Sequence, residues 1–516
     1  MSSQPGSPGP SKPQVVATLS GRTPEELKLE CRRASEMGAD LIEFRLDRMR
    51  PEDIDRLDTV HQIPIEFEWV PAIATLRSRT EGGEGPATEA ERLKLLESAL
   101  ESLPFTYVDL ELARDLGIAH EISSSFGRPV AQIFSAHLPL DTPLSVVADN
   151  LNRAMEAGAI GKVVVPASVA RTMEELIPLA EKLRGKPYVL HTTGPSGPLL
   201  RLLSRQLEMG MVYATLPDAV HGPVEPAQLP LPDLKEYLDA PLGTPWLAVV
   251  GNPIAHSLSP KIHRRFLREA KLPWLYVALQ LESGKELRDV LPRLVTWGMA
   301  GMNVTAPFKT DAAEISTASE EEVSVSGAAN TLWREAGAAP VIRSANTDVL
   351  ALRRILEELH GSGWSGDRLL IVGGGGAARA ATAAGVEFGA HVYVTGRSDA
   401  RVRAMVNDFP PEFVHMVPAA SLTPFPLVVH ATPAGQAGAQ DLEVPIRGAL
   451  APRGVLLDLV YAQSASQLKE MAVQSGARYL TGGRMLVYQA AESFQRFTGK
   501  TPSSALLEEL IREVNQ

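Results

Sequence analysis

Short apolar runs rich in β-branched residues recur along the first 216 residues of the chain, and amphipathic stretches separate most of them. Eight of these runs predict β-strands, at 14–19, 39–46, 71–78, 106–112, 129–137, 161–167, 187–193 and 211–216. The stretches at 23–38 and 89–102 show apolar residues at helical spacing instead. Strands that alternate with helices predict a parallel sheet with crossover helices. Eight such units in about 200 residues predict a (β/α)8 barrel.

The alternation of apolar runs and amphipathic stretches ends after residue 216. Seven prolines lie within residues 217–245, which show no convincing periodicity, and this change indicates a domain boundary. We therefore expect the barrel to cover 14–232 and a linker to cover 233–245. A strand at 246–251 opens a second region, and residues 368–397 follow the strand, turn, helix and strand order of a βαβ unit.

Composition and charge narrow the class of protein. The formal charge of -11, from 50 Lys and Arg against 61 Asp and Glu, argues against a general nucleic-acid-binding surface. No apolar run approaches the roughly 20 residues of a membrane span. The single cysteine, Cys31, excludes an intrachain disulfide framework and a thiolate zinc cluster, so we predict no metal site. The Ser/Pro/Gly-rich residues 1–13 predict a disordered tail rather than a signal peptide, and we expect a cytoplasmic protein without membrane or nucleic-acid partners.

Charged residues stand where predicted strands end. Glu43, Arg45 and Asp47 alternate at the end of the second run, and a strand period of two places all three on one face. Charges in such a position either form a satisfied internal network or bind a ligand. Arg77 and Glu81 lie where the third run ends in a glycine-rich loop, and such a loop is able to close over an anion.

Two further residues have the chemistry of an active site. Lys162 opens the sixth run ahead of three valines; burial against them would disfavour the ammonium form and leave an amine able to form a Schiff base. The alternative is a lysine that reaches solvent from the start of a strand. His137 ends the fifth run, where a barrel carries its active-site face, although a strand-end histidine is more often a packed or capping residue.

The order and spacing of these motifs resemble type I 3-dehydroquinate dehydratase over nearly all of residues 14–230. The matching motifs are EFRLD (43–47), TLRSRTEGG (75–83), SAH (135–137), GKVVVP (161–166) and GPLLR (197–201). The resemblance implies that Lys162 forms an imine with the C3 ketone of 3-dehydroquinate, and that His137 shuttles protons while Glu43 helps to orient it. It also implies substrate-binding roles for Arg45, Arg77, Arg201 and Gln228. Val224 departs from the family, which often has a serine in this loop.

A dinucleotide-binding fingerprint lies in the second half. Residues 373–378 fit the G-x-G-x-x-A pattern between a predicted strand and an alanine-rich helix, so the backbone can approach a pyrophosphate at the helix start. About twenty residues further on, an NAD site carries an acidic residue, whereas this chain has Arg397 between Gly396 and Ser398. An arginine there suits a 2′-phosphate and favours NADP; the alternative is a surface turn residue.

The motifs of the second half resemble shikimate dehydrogenase over about residues 246–516. The matching stretches are GNPIAHSLSP (251–260), NVTAPFK (303–309), GAANT (327–331), NTD (346–348), GGGGAARA (373–380), ATPAG (431–435), DLVY (458–461) and GGRMLVYQA (482–490). The resemblance implies that Lys309 and Asp348 are the acid/base pair at the reacting carbonyl. It implies that six residues hold or line the substrate: Ser257, Ser259, Thr305, Asn330, Tyr461 and Gln489. It implies cofactor contacts for Gly373, Gly375, Gly376, Ala377, Arg397, Ser398, Thr432 and Gly483. The departures from the family are Ala345, Val349, Gly396 and Gln463.

We therefore expect an α/β chain with an N-terminal (β/α)8 barrel and a two-subdomain shikimate dehydrogenase-like unit. The unit would hold a shikimate-binding subdomain (246–348), a Rossmann NADP-binding subdomain (349–490) and a C-terminal helix (491–516) that returns to the first. Such a bifunctional enzyme would dehydrate 3-dehydroquinate and reduce 3-dehydroshikimate to shikimate, within aromatic amino acid biosynthesis. The alternatives are an NAD-preferring quinate/shikimate dehydrogenase, against which Arg397 argues, and a ligand-sensing regulator that has lost its catalytic residues.

Overall fold

The computed structural model describes residues 12–61, 70–86, 88–117, 130–335, 341–360, 364, 366–432, 434, 446–460 and 467–515. Most of the predicted N-terminal tail therefore lies outside the described residues. Contacts between residues divide the chain into two compact units. The first contains Met1–Pro245, Pro273–Glu282 and Asp289–Gly298, and the second contains Trp246–Leu272, Ser283–Arg288 and Met299–Gln516. In the part of the chain just given, no helix has the length and apolar character needed to span a bilayer.

Each of the eight predicted strand segments of the first unit contains a strand. They are β1 (Gln14–Thr18), β2 (Leu41–Arg45), β3 (Ala72–Thr75), β4 (Tyr107–Glu111), β5 (Ala131–His137), β6 (Ile160–Pro166), β7 (Tyr188–Thr193) and β8 (Met211–Thr215). Neighbours in sequence pair in parallel, and β1 pairs with both β2 and β8. The N–H of Gly210 donates to the carbonyl of Tyr188, which brings β8 beside β7. The predicted barrel is confirmed.

The helices of the first unit lie between these strands. They are α1 (Pro24–Glu36), α2 (Pro51–Ile54), α3 (Asp58–His61), α4 (Glu89–Ser102), α5 (Leu112–Asp115), α6 (Leu144–Glu156), α7 (Val169–Arg171), α8 (Ile177–Lys182), α9 (Gly197–Leu202) and α10 (Leu231–Asp239). A π-helical turn, Thr172–Leu176, joins α7 to α8, and short 3-10 turns follow several strands: Leu46–Arg48, Arg79–Glu81 and Gly194–Ser196. The structure differs from the expected linker, which begins inside α10. The helix was not predicted because proline is typical of linkers. Pro232, however, lies in the first turn of α10, where a backbone N–H has no partner within the helix, so its absence costs nothing.

Two layers of side chains fill the barrel, two residues apart on each strand. The lower layer is a buried apolar cluster of Val16, Leu41, Ile73, Ile133, Val189, Met211 and Tyr213, with Tyr107 and Ile160 packed against it. Two residues further along the strands stands a mostly polar layer: Thr18, Glu43, Thr75, Asp109, Ser135, Lys162 and His191, all buried. Because alternate residues of a strand face the same side, both layers point into the barrel.

A six-stranded mixed sheet opens the second half of the chain. Its strands are β10 (Trp246–Gly251), β11 (Leu275–Gln280), β12 (Met299–Val304), β13 (Ala318–Ser319), β14 (Thr331–Glu335) and β15 (Val341–Ala345), in the order β11-β10-β12-β14-β15-β13. A two-residue strand, β9 (Leu229–Pro230), belongs to the barrel sheet instead. The accompanying helices are α11 (Ser259–Glu269), α12 (Gly284–Thr296), α13 (Lys309–Ile315) and α14 (Glu321–Ser326).

A third, parallel sheet follows α15 (Thr347–Leu359). Its strands are β16 (Arg368–Val372), β17 (His391–Thr395), β18 (Val414–Met416), β19 (Phe425–His430), β20 (Leu450–Asp458) and β21 (Arg478–Thr481). The order β18-β17-β16-β19-β20-β21 is the 3-2-1-4-5-6 order of a Rossmann fold, which confirms the prediction. Its helices are α16 (Gly376–Glu387), α17 (Asp399–Val406) and α18 (Gln467–Gln474), with 3-10 turns at Ala419–Ser421 and Arg447–Ala449.

The chain ends in two helices, α19 (Gly483–Thr498) and α20 (Ser504–Val514), where one was expected over 491–516. Gly499 separates them, and its φ of 71° is a left-handed conformation that glycine adopts without strain. Phe494 of α19 packs against Phe266 of α11, with ring centroids 5.4 Å apart. This contact joins α19 to α11, and the predicted subdomain bounds stay a prediction.

A buried ion pair in the first unit allows a test of its contribution to the free energy of unfolding. Arg92 donates to both carboxylate oxygens of Asp115, at 2.5 and 2.7 Å, and both side chains are fully buried. Asp115→Asn leaves a buried guanidinium without its counter-charge, so we expect a loss of about 3–5 kcal/mol in the free energy of unfolding. Urea unfolding followed by circular dichroism measures it. Glu181→Gln removes an exposed pair with Arg184 and should cost less than about 1 kcal/mol. Equal effects of the two substitutions would show that the buried pair does not stabilise the unit.

Candidate active sites

Lys162 lies among carboxylates rather than against valine side chains. Its Nζ donates to Asp109 Oδ2 at 2.9 Å and to Glu43 Oε1 at 3.5 Å. Burial is the largest single effect and lowers the pKa of Lys162, but the interactions with Asp109, Tyr213 and Glu43 together outweigh it, so the pKa is raised above its ordinary value. Burial acts in the expected direction, but the expected outcome, a disfavoured ammonium form, is wrong. Lys162 rests as an ammonium ion, and another group must accept its proton before the amine can react.

Asp109 is shared by Lys162 and a second buried cation. Arg77 Nη2 lies 3.2 Å from each oxygen of the Asp109 carboxylate, and Arg77 Nη1 donates to Ser135 Oγ at 2.7 Å. Ser135 in turn donates to Asp109. Although burial raises the pKa of Asp109, Arg77 and Lys162 outweigh it, so the pKa is lowered and the carboxylate stays charged. Arg77, predicted to bind substrate, is thus placed in the site but also holds Asp109.

His137 contacts Glu81 rather than Glu43. The imidazole Nδ1 lies 3.2 Å from Glu81 Oε2, and the backbone N–H of His137 donates to the same oxygen at 3.1 Å. Glu43 instead accepts from Thr18 at 2.9 Å and from Thr75 at 3.0 Å. The predicted orienting role of Glu43 is corrected: Glu81 orients the imidazole, and Glu43 faces Lys162.

The His137–Glu81 pair has shifted pKa values. Burial raises the pKa of Glu81 to about 7. Burial, together with the positive charges of Arg77 and Lys162, lowers the pKa of His137 well below its usual range. The imidazole is therefore neutral near pH 7 and is able to accept a proton.

Arg45 and Asp47 form an internal pair. Asp47 does not continue strand β2 as the alternation predicted, because Leu46–Arg48 is a 3-10 turn. Arg45 donates through Nε and Nη2 to the two Asp47 oxygens, each at 2.8 Å. This geometry matches the alternative in which these charges satisfy one another, and the predicted substrate contact of Arg45 stays a prediction.

Arg201 and Gln228 have unused bonding capacity. Arg201 donates through Nη1 to the carbonyls of Thr192 and Gly197, at 2.7 and 2.6 Å, while its buried Nε makes no hydrogen bond to any described residue. Burial lowers the pKa of Arg201 to about 10, and Glu225 offsets this only in part. Gln228 donates to Thr18 Oγ1 at 3.0 Å, and its buried Oε1 lacks a partner among the same residues. A buried guanidinium in this state suits a carboxylate ligand.

A second lysine–carboxylate pair lies in the second unit. Lys309 begins α13 and Asp348 lies in the first turn of α15; Lys309 Nζ donates to Asp348 Oδ2 at 2.5 Å. Asn330 Oδ1 accepts the backbone N–H of Thr347 at 2.8 Å, which fixes the start of α15 beside β14. Gln489 Oε1 accepts from Thr347 Oγ1 at 3.5 Å. The structure thus brings the predicted Asn330 and Gln489 to the start of the helix that carries Asp348.

The other predicted substrate residues have varied settings. Ser257 Oγ accepts the N–H of Ser259 at 3.3 Å, so Ser257 supports the start of α11, and Ser259 is its first residue rather than its cap. Thr305 follows β12, and its N–H donates to the carbonyl of Val250 at 2.9 Å. Tyr461 lies outside the described residues, as does Gln463.

The fingerprint turn has the shape that a dinucleotide needs. Gly373 has a φ of 145°, and a Cβ there would lie 2.6 Å from the carbonyl oxygen of Ala431, so only glycine fits. Gly375 faces open space just before α16, where Ala377 lies in the first turn. A Cβ on Gly376 would lie 3.4 Å from Lys309 Cδ, which places the turn beside the lysine–carboxylate pair. A helix start lined by small residues fits the pyrophosphate of NADP.

The remaining predicted cofactor residues differ in their exposure and in their contacts. Arg397 is exposed after β17. Ser398 Oγ accepts the N–H of Arg401 at 3.4 Å and so caps α17. Thr432 Oγ1 lies 2.6 Å from His430 Nε2. A Cβ on Gly483 would lie 2.3 Å from Asn515 Oδ1, so this glycine lets α19 approach the end of the chain.

Two residues of the barrel site were missed by the sequence interpretation, Asp109 and Tyr213. Asp109 stands inside the predicted fourth strand, and the spacing of two that selected Glu43 applies to it equally. Tyr213 carries no charge and reads as a core residue; its ring centroid lies 3.8 Å from Lys162 Nζ.

The folds and sites define a chain of two enzymes: a barrel with a buried reactive lysine, and a nucleotide-dependent dehydrogenase with a Rossmann domain. A family profile for type I 3-dehydroquinase matches residues 15–242. Profiles for the shikimate dehydrogenase substrate binding domain and the shikimate 5'-dehydrogenase C-terminal domain match residues 249–332 and 482–512. The chain therefore belongs to the shikimate dehydrogenase family, joined in one polypeptide to a type I 3-dehydroquinase domain.

Individual relatives show the same division. The chain is 34% identical over 267 residues to the shikimate dehydrogenase (NADP(+)) of Dinoroseobacter shibae, across 50% of this chain and 93% of that protein. It is 26% identical over 502 residues to the chloroplastic bifunctional 3-dehydroquinate dehydratase/shikimate dehydrogenase of Arabidopsis thaliana, across 94% and 82% of the two chains. A solved shikimate 5-dehydrogenase from Thermus thermophilus, in complex with NADP(H) and shikimate, is 30% identical with a TM-score of 0.47, covering 52% of this chain and 99% of that one.

The Glu81–His137 pair predicts the pH dependence of the dehydratase. As pH rises through about 7, Glu81 loses its proton and becomes a charged acceptor for His137 Nδ1–H. We expect kcat/KM for 3-dehydroquinate to increase with pH through this range. Glu81→Gln should remove this increase and lower the rate by roughly 10²-fold. Glu181→Gln, on an exposed carboxylate, serves as the control. A pH profile of Glu81→Gln that superimposes on the wild type would rule out this role for Glu81.

Proposed function

We propose that the chain catalyses two consecutive reactions, dehydration of 3-dehydroquinate to 3-dehydroshikimate and NADPH-dependent reduction of that product to shikimate. The observation that carries the proposal is the presence, in one polypeptide, of two complete lysine sites. Lys162 lies with carboxylates in the buried polar layer of the barrel, and Lys309 pairs with Asp348 beside the dinucleotide turn.

In the first reaction Lys162 forms an imine with the substrate ketone. Neutral His137 accepts the proton that the ammonium ion must lose, and Glu81 stabilises the imidazolium that results. The amine adds to the ketone carbon, and loss of water leaves a protonated imine. The imidazolium of His137 returns its proton to the hydroxyl that leaves as this water, so His137 is neutral again. The protonated imine withdraws electrons and acidifies the adjacent carbon; His137 accepts the carbon proton as the enamine forms and then delivers it to the departing β-hydroxyl. Expulsion of the β-hydroxyl as water and hydrolysis of the imine release the product and the lysine.

Arg201 is the residue that we assign to the substrate carboxylate. It is buried, its Nε has no hydrogen bond within the described residues, and Glu225 only partly balances its charge. Gln228 would bind a ring hydroxyl through its unpaired Oε1. Both assignments place polar substrate groups where the free protein leaves bonding capacity unused.

In the second reaction the bound NADPH supplies the hydride. Gly373, Gly375, Gly376 and Ala377 would hold its pyrophosphate, and Arg397 its 2′-phosphate. Lys309 would deliver a proton to the carbonyl oxygen, and Asp348 would hold the ammonium group in place. Ser257, Asn330 and Gln489 are proposed to orient the substrate ring.

We also propose a cytoplasmic location. Cys31 is a buried free thiol, which agrees with a reducing compartment. Cell fractionation with antibodies to the chain tests this proposal, and recovery in an organelle fraction would contradict it.

A coupled assay tests the proposed function. The wild-type protein, supplied with 3-dehydroquinate and NADPH, should oxidise NADPH. Lys162→Ala should lose this activity but still reduce added 3-dehydroshikimate, because Lys309 and Asp348 are unchanged. Lys309→Ala should do the reverse, forming 3-dehydroshikimate while NADPH oxidation falls by roughly 10²–10⁴-fold. Borohydride should trap substrate on the peptide that contains Lys162. An adduct on another lysine, or an active Lys162→Ala protein, would refute the imine assignment.

Cofactor choice tests Arg397. The wild type should prefer NADP to NAD, and Arg397→Ala should reduce this preference by about 1.5–3 kcal/mol, the value of a hydrogen bond to a charged group. The measurement is the ratio of kcat/KM for the two cofactors. Arg403→Ala removes an equally exposed charge from the last turn of α17 and should leave the ratio unchanged. A wild-type preference for NAD would contradict the assignment.

A further inference from the structure

We propose that the aromatic ring of Tyr213 stabilises the positive charge on the Lys162 nitrogen during dehydration, first in the ammonium ion and then in the protonated imine. This inference rests on the proposed role of Lys162 as the imine-forming residue. It gives a catalytic task to a side chain that otherwise reads as part of the apolar core.

The geometry is that of a cation–π contact. Lys162 Nζ lies 3.8 Å from the centroid of the Tyr213 ring, well inside the roughly 6 Å limit for such contacts. The carboxylates of Asp109 and Glu43 lie at 2.9 and 3.5 Å from the same nitrogen. Tyr213 and Lys162 are both buried, and a desolvated cation–π contact is stronger than an exposed one.

The ring is held in this position from below and from the side. Tyr213 belongs to the buried apolar layer of the barrel, with Val16 as its Cα partner on β1. His191 meets it edge to face, with centroids 6.0 Å apart and planes at 84°, and the Tyr213 N–H donates to His191 Nε2 at 3.4 Å. Burial lowers the pKa of His191 well below its usual range, so no second cation competes for the ring.

The stabilising group is the ring face rather than the hydroxyl. Burial raises the pKa of Tyr213, so the phenol is neutral and supplies no phenolate charge. Its buried oxygen interacts electrostatically with Lys162 but makes no hydrogen bond of normal geometry to the residues that the structure describes. A phenylalanine would therefore keep the interaction, whereas an aliphatic side chain would lose it.

The contact acts at the step that forms the enamine. The enamine forms only while the nitrogen carries a positive charge, because a neutral imine withdraws electrons far less. Asp109 and Glu43 favour the same charge but are hydrogen-bond acceptors of the ammonium protons. After imine formation the nitrogen keeps one proton, so fewer of these hydrogen bonds remain, while the attraction to the ring face persists. The ring thus contributes most at the step where the carboxylates contribute least.

The test compares Tyr213→Phe with Tyr213→Leu in the full-length protein. We expect Tyr213→Phe to stay close to the wild type, and Tyr213→Leu to lose kcat by roughly 5–30-fold with a smaller change in KM. The trapping of substrate by borohydride, which reduces the protonated imine, should decline at a lower pH in Tyr213→Leu than in the other two proteins. Tyr107→Leu is the matched control, because it removes a ring from the lower layer of the barrel.

Each outcome decides between the hypotheses. If Tyr213→Leu fails to fold, Tyr213→Met replaces it as a ring-free variant of similar length. A Tyr213→Phe protein as impaired as the ring-free variant would assign the effect to the hydroxyl and overturn the inference. Ring-free variants with wild-type kcat and trapping profile would overturn it as well. A wild-type protein that forms no adduct on Lys162 would refute the proposed function itself, which distinguishes that failure from the others.

Discussion

The carboxylate of Asp109 is a negative charge that two buried cations of the barrel, Lys162 and Arg77, both contact directly. Lys162 and Arg77 each lie within 3.2 Å of it, in a region from which the strands exclude water. Two cations buried this close would repel each other without such a partner, and burial alone would favour their neutral forms. Arg77, fixed in this way, contacts Ser135 and Glu81, and Glu81 orients His137. The position of the proton acceptor thus depends on the same carboxylate that keeps the lysine charged.

The barrel can hold this charge because its side chains are arranged in layers. Each of the strands β1 to β7 supplies an apolar residue to the lower layer and, two residues later, a residue to the upper layer. On β5, Ser135 lies two residues after the lower-layer Ile133, and on β6, Lys162 lies two residues after Ile160. Because β5 and β6 pair in parallel, Ser135 and Lys162 are neighbours. The apolar layer stabilises the barrel by excluding water. Because water is excluded, the polar layer above it lies in a low-dielectric environment. The lower layer of each strand therefore contributes to stability, and the upper layer holds the residues of the candidate site.

This layering explains how much the sequence alone could reveal. The eight barrel strands, the strand at 246–251 and the strand–turn–helix–strand unit at 368–397 depend on local patterns, and all were predicted correctly. The charge state of Lys162 was not, because its partner Asp109 lies on another strand 53 residues away. The partner of His137 was misassigned for the same reason, since Glu43 and Glu81 are equally plausible until the strands close into a barrel. Helix α10 was missed because its prolines, which resemble a linker, occupy positions that a helix start tolerates.

The two lysines differ in their access to solvent, and the proposed chemistry asks a different proton transfer of each. The Lys309 side chain is 19% exposed, so under the proposed mechanism it would recover a donated proton from water directly. Lys162 is only 5% exposed, and the proposed imine chemistry requires it to lose and regain protons within one cycle. His137 is 29% exposed and lies two residues beyond Ser135 on β5. The proposed exchange of protons between the lysine and solvent therefore falls to a histidine whose pKa is lowered, while the pKa of the lysine is raised.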